Sequence, residues 1–228
     1  MSTAFAALQD LHNEFIRKAK NGSVFVAASS AATINESTLF TSPAGEIATL
    51  PAGYADLGYL ADAGAACARS ISETSVTSWQ SVSPTRSDRT ADTTTLTVPC
   101  QETKLTTIGL YVGVDTAAVT AATNGVVRID TPSVPVDLYH RVLVVSEDTS
   151  HSAGSVYICR YLPNAKVTDI AQQSHDKGDE IQWGVTFTGF VDSAVGTAES
   201  YIFGGPGWKA LLADMGFSDS SSSSSSSS

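Results

Sequence analysis

Between Gly53 and Gly64 the chain reads GYADLGYLADAG, two glycine-bounded half-turns that each carry a tyrosine, and this stretch constrains the fold more than any other. Clustered glycines mark tight turns, and runs of alternating apolar and polar residues follow, the pattern of half-buried strands. A little further on, Ser78-Trp79-Gln80 sets an aromatic among polar neighbours. Together these read as a loop pinned to a β framework.

The rest of the sequence supports a mainly β chain with minor helix. Residues 23–28, 71–81, 89–98, 126–129, 136–145, 155–162, 166–170 and 180–191 are strand-like, and Asn124-Gly125 and Lys177-Gly178-Asp179 supply turns. Residues 104–112 place Leu105, Ile108 and Val112 at helical spacing before Gly113. That is a short helix lying on a sheet, and burying those three side chains contributes about 1.5–3 kcal/mol each. Residues 4–20 carry Phe5, Leu8, Phe15, Ile16 and Ala19 at helical spacing behind Ser2 or Thr3 as cap, and Asn21-Gly22 ends the pattern. A lone amphipathic helix is stabilised chiefly by packing, so its apolar face needs a partner in its own domain or in a neighbour.

Residues 31–52 lose periodicity and read as a long loop, of the kind that is functional or mobile. After Gly204-Gly205-Pro206-Gly207 comes a helical turn or two, and from Ser218 onward the chain is serine apart from Asp219. Such a tail cannot bury apolar surface and is expected to be disordered. The expected organisation is therefore residues 1–22 as an N-terminal helix or arm, 23–217 as one β domain with a long loop at 31–64, and 218–228 as a poly-Ser tail.

A net charge of -10 and the absence of any strong basic cluster argue against capture of nucleic acid through its phosphates. Cys67, Cys100 and Cys159 are scattered singly, with no Cys-x-x-Cys pair, and read as small apolar residues of a reduced protein. No leader pattern opens the sequence and no apolar run approaches bilayer length, so neither export nor membrane spanning is expected. No Gly-x-Ser-x-Gly elbow occurs, the four histidines lack metal-ligand spacing, and Gly204 to Lys209 lacks the ending of a phosphate loop. Neither catalytic residues nor a cofactor is expected.

In order, NGSVFVA, a Pro-bearing loop, DLGYLADAG, SWQ, a Thr-rich strand, QETKLTTIGLYVG, RYLPNAKVTDI and GDEIQWGVTFTGFVD resemble the major tail tube protein of long-tailed, siphovirus-type bacteriophages, especially those of actinobacteria. The resemblance covers residues 21–203 as an ordered set. It implies a β-sandwich or partial barrel with a packed short helix, assembled as stacked hexameric rings into a tube through which DNA is ejected. It also implies a protein made in the host bacterial cytoplasm and resident in the virion. Its partners are then further copies of itself, the tape-measure protein, and the tail-tip and tail-terminator proteins, while DNA passes through without specific binding.

On that reading six copies give about -60 per ring, and like-charged walls repel a polyanion. Asp88, Asp92, Asp130 and Asp137, which flank or lie in strands, are the candidate lumen-facing acids. Asn35, Leu39, Phe40, Ile47, Tyr54 and Tyr59 are the candidate inter-subunit loop residues. The alternative from another class is a monomeric β-sandwich binding or adhesion module.

Overall fold

The computed structural model describes residues 5–42, 45–134 and 136–218. Along the chain run β1 (Asn21–Ala28), α1 (Glu36–Leu39), β2 (Ala55–Asp56), β3 (Ala66–Val76), β4 (Arg86–Cys100), α2 (Leu105–Val112), β5 (Tyr139–Asp148), β6 (Val156–Ile170), β7 (Trp183–Gly189), β8 (Ser200–Gly204) and α3 (Pro206–Leu211). All of these strands belong to one antiparallel sheet, ordered β2-β1-β5-β6-β7-β4-β3, with β8 beside the first half of β6.

The two ends of this sheet meet. Past β2, the Leu57 N–H donates to the Val24 carbonyl on β1 (2.9 Å). Two residues later the chain reaches β4: Leu60 bridges to Cys100, Ala61 N–H donates to Pro99 and Gln101 N–H donates to Tyr59. Residues 57–61 therefore carry the outer edge of β1 across to the end of β4 and close the sheet into a partial barrel. This is the Gly-bounded stretch that opened the sequence reading. Gly58 sits there at φ +82°, in the left-handed region that favours glycine. A Cβ on it would also run into the Glu102 carboxylate, which accepts the Tyr59 N–H at 2.7 Å.

Successive strand residues point to opposite faces, and both faces of the central strands are covered. Val24, Val26, Val142, Val144, Leu162 and Phe187 point into the barrel, with Leu57 and Leu110 closing its ends. Leu143, Cys159, Tyr161 and Ile202 point outward into a second core roofed by Ile34 and Leu39 from the long excursion after β1. That excursion is held by a buried polar hub. Arg141 donates to Ser29 and Pro163 carbonyls (3.1 Å each) and to the Tyr161 hydroxyl (3.3 Å), and lies 3.5 Å from Asp192. Tyr54 reaches both the Ala32 carbonyl and Tyr161, and burial followed by the Tyr161 contact pushes its phenol well above the ordinary range.

Several expectations are corrected. The helix expected over residues 4–20 is two 3-10 turns among the described residues, Phe5–Leu8 and Asn13–Phe15, and Phe5, Leu8, Leu11 and Ile16 of its apolar face stay exposed; His12 instead bonds Asp10 and Glu14 and stacks on Phe15. Residues 126–129 form no strand: their β-prone run has no sheet neighbour, although the Asn124-Gly125 turn is present. Residues 155–162 and 166–170 are one strand, since Pro163, which has no N–H, sits where β6 leaves β8 and takes up β7. Within residues 31–52 Asn35 and Thr38 cap the single turn of α1 reciprocally. The buried face of α2 carries Thr107 and Leu110, and Leu105 is exposed. From residue 219 the poly-Ser tail lies outside the described residues.

The cysteines are free, Cys100 and Cys159 fully buried and Cys67 half-buried. Burial pushes the thiols of Cys100 and Cys159 up to about 11 and about 12, as befits inert core residues.

Candidate assembly surfaces

β4 is supported on both sides only along its second half. From Thr94 to Thr97 it lies between β3 and β7, and from Val98 to Cys100 between β7 and the closing segment at residues 59–61. Before Thr94 it pairs with β3 alone, from Ser70↔Thr93 out to Val76↔Arg86. The chain there is a two-stranded ribbon that leaves the barrel, and its residues 70–76 and 86–92 are exposed. Thr- and Ser-rich sequence fits this position, because β-branched residues hold the extended backbone without needing a core. Cross-strand bonds stitch it: Ser78 to Thr85 hydroxyls (2.8 Å), Thr90 hydroxyl to the Ser72 carbonyl (3.1 Å) and Ser87 hydroxyl to Glu73 (3.1 Å). At its tip Trp79 is 99% exposed and Val82 fully so. An isolated two-stranded ribbon is marginal in water, and an unpaired strand edge is a template for another chain.

The four candidate acids do not form one cluster. Asp88 and Asp92 lie on the arm, Asp130 lies in the excursion between α2 and β5, and Asp137 lies just before β5. Each stands beside a cation of its own chain: Asp88 by Arg86 (2.6 Å), Asp92 by Arg69 (2.6 Å) and Arg89 (3.2 Å), Asp130 by Arg128 (2.8 Å) and Asp137 by Lys166 (3.0 Å). Arg69, forking both oxygens of Asp92, holds that carboxyl below the usual range.

The loop candidates divide by where they point. Leu39 is buried in the second core, and Phe40, Ile47 and Tyr54 pack partly against it. Phe40 lies directly over Gly204 of β8, where any side chain would strike its ring. Asn35 is exposed at its cap, and Tyr59 is 79% exposed beside the barrel closure.

Residues 10–202 match the family model described as phage tail tube protein. The chain belongs to that family. The chain is thus a structural component of a phage tail tube. A search of curated protein sequences finds no match. Among solved structures, a crystal structure of an Hcp protein is similar with a TM-score of 0.33 and 14% identity, covering 79% of this chain and 96% of that one.

In this tail tube protein no group of three or more metal-binding side chains occurs among the described residues. Nor is any helix there long and apolar enough to cross a membrane. Of the surface residues placed above, Trp79 is the one that sequence reasoning named without assigning a role. Its signal was present: a large aromatic between Ser78 and Gln80, in a turn with no apolar neighbour to bury it.

Proposed function

We propose that this chain assembles into six-membered rings that stack into a hollow tail tube, the conduit through which DNA passes into the host. The observation that carries this reading is the β3–β4 arm, a ribbon with both faces and both edges exposed and a solvent-exposed tryptophan at its tip. Such a ribbon is stabilised when a neighbouring copy covers it, and its free edges offer backbone groups to that copy. Of the six loop candidates, Tyr59 and Asn35 are the ones that face outward, and they serve as the second contact between copies.

Asp88, Asp92, Asp130 and Asp137 remain the candidates for the lumen wall. Because each is paired with a neighbouring Arg or Lys, the wall they form is a mosaic of close ion pairs, and its repulsion of DNA comes from the net excess of acid over the whole chain. Partners are further copies of the chain and, at the tube's interior and ends, the tape-measure, tail-tip and terminator proteins. The protein is made in the host bacterial cytoplasm and ends in the virion.

The test is negative-stain electron microscopy of the purified chain at rising concentration, beside a variant in which the cross-strand partners Ile71 and Asp92 are joined by an Asn-Gly turn. Hollow rings or striated tubes are expected from the parent. The trimmed variant is expected to fold as a monomer and form none. Tubes of equal number and length from the trimmed chain refute the role given to the arm, and a parent that stays monomeric at every concentration counts against the tube itself.

A further inference from the structure

Residues 5–20 have the sequence grammar of a helix and the structure of something else. At 100° per residue, Phe5, Leu8, Leu11, Phe15, Ile16 and Ala19 fall within about 140° of one another, a continuous apolar stripe. Asp10 and Glu14 precede Arg17, Lys18 and Lys20, the order that suits a helix dipole, and Glu14 stands four residues before Lys18. Yet the segment holds only two 3-10 turns, and Phe5, Leu8, Leu11 and Ile16 are 74%, 72%, 76% and 69% exposed.

Its own protomer gives it little to fold on. Among the described residues, hydrogen bonds to the body begin at Lys18, whose N–H donates to Asp148, and at Lys20, whose N–H donates to the Glu147 carbonyl. Upstream of these, a cleft of about 710 Å³ lies between residues 10–16 and the neighbouring Asp214 and Met215. Arg17 is left with two guanidinium nitrogens, Nε and Nη2, shielded from water and without an acceptor, an arrangement that costs free energy until an acceptor is supplied. A helix this short is marginal in water until its stripe is covered.

We propose that residues 5–19 are a docking element that coils into an α-helix when a second copy of this chain covers the stripe. This rests on the tube reading above, which makes further copies the partner at hand. Charge favours the same partner: with Lys20 at its base, the stretch of residues 5–20 carries two acids and three cations, so the rest of each copy holds a net -11 within the total of -10. As a helix, residues 5–19 are about 22 Å long, and the hydrogen bond from Lys18 N–H to Asp148 anchors their base to the body. Docking on a neighbouring copy also frees Arg17 to meet an acceptor.

The experiment is hydrogen exchange with mass spectrometry on the full chain, below and above the concentration at which it assembles, for the parent and for Leu11→Pro. Proline at this position blocks an α-helix but not an extended arm. Exchange in residues 5–17 is expected to be fast in the monomer and to slow by about 100-fold in the assembly. Leu11→Pro is expected to keep the parent's monomer melting curve and to assemble at least tenfold more weakly, on the order of the loss of one well-packed anchor. A parent that assembles while residues 5–17 exchange as fast as before overturns the proposal and leaves the tube reading standing. Leu11→Pro assembling like the parent overturns the helix specifically. A parent that never assembles removes the tube reading and this proposal together.

Discussion

Leu57→Ala tests whether the irregular segment after β2 truly closes the barrel. Leu57 is fully buried in the inner core although it lies on no long strand. Its backbone is tied to Val24, and the Leu60–Cys100 bridge follows three residues on. A Leu→Ala change in a core costs about 2–5 kcal/mol, rising with the cavity that survives relaxation. Here the backbone is held on both sides and the site collapses little, so the upper part of that range, about 3–5 kcal/mol, applies. For a chain of this size each kcal/mol moves Tm by about 2–4 °C, which gives a fall of about 6–20 °C. The assay is a circular-dichroism melt at a concentration low enough to keep the protein monomeric. Tyr59→Ala, two residues away and exposed, is the control and is expected to stay within about 2 °C, as surface changes do. The reasoning fails if Leu57→Ala melts within 2 °C of the parent, or if Tyr59→Ala falls as far.

Arg141→Met empties the buried hub between Ser29, Pro163, Tyr161 and Asp192; a loss of about 3 kcal/mol is expected, read as a lower denaturant midpoint at unchanged slope. Asp148 is held at about 2, against an ordinary 3.8, first by the Ser150 hydroxyl and then by the Lys18 and Ser150 N–H groups. A carboxyl depressed on folding stabilises fully above 3.8, and that contribution drains away as pH falls toward 2. Proteolysis at the Lys18–Lys20 joint is therefore expected to rise across that window in the parent, whereas Asp148→Asn is open already at neutral pH and shows no such limb. Trp79 is expected to shift its fluorescence to shorter wavelength on assembly, and Trp79→Phe to lose most of the shift; an unchanged spectrum in assembled material places the arm tip in solvent.

The strands were legible because their periodicity records a physical fact that survives in one dimension: Val142, Val144 and Leu143 face two different cores from adjacent positions. The same alternation announced β4 and β7. Where the reading went astray, the missing information was always a partner. Residues 4–20 and 126–129 have the right local preference, but helix and strand each need a surface or an edge that sequence does not display. Residues 155–162 and 166–170 read as two strands although they are one, because Pro163 between them is tolerated only where β8 gives way to β7 beside β6. Among the assembly candidates, Tyr59 was found by its setting between glycines. Leu39 was chosen on loop position alone, and the structure spends it inside the second core. The arm escaped notice because an exposed ribbon and a half-buried strand share one composition until pairing shows which side is empty.

The closed barrel also separates two lengths that most β proteins keep coupled. β4 is fixed to the core through Thr94 to Cys100, and everything beyond that register hangs free of it. Adding or removing one residue from each strand of the arm changes its reach by about 3.3 Å and inverts which face its tip presents, while a pair from each strand preserves the face. The arm is thus an adjustable rod on a fixed mount: insertions near Thr77 to Thr85 change its length and facing while the pairing of Thr94 to Cys100 with β7 stays in register.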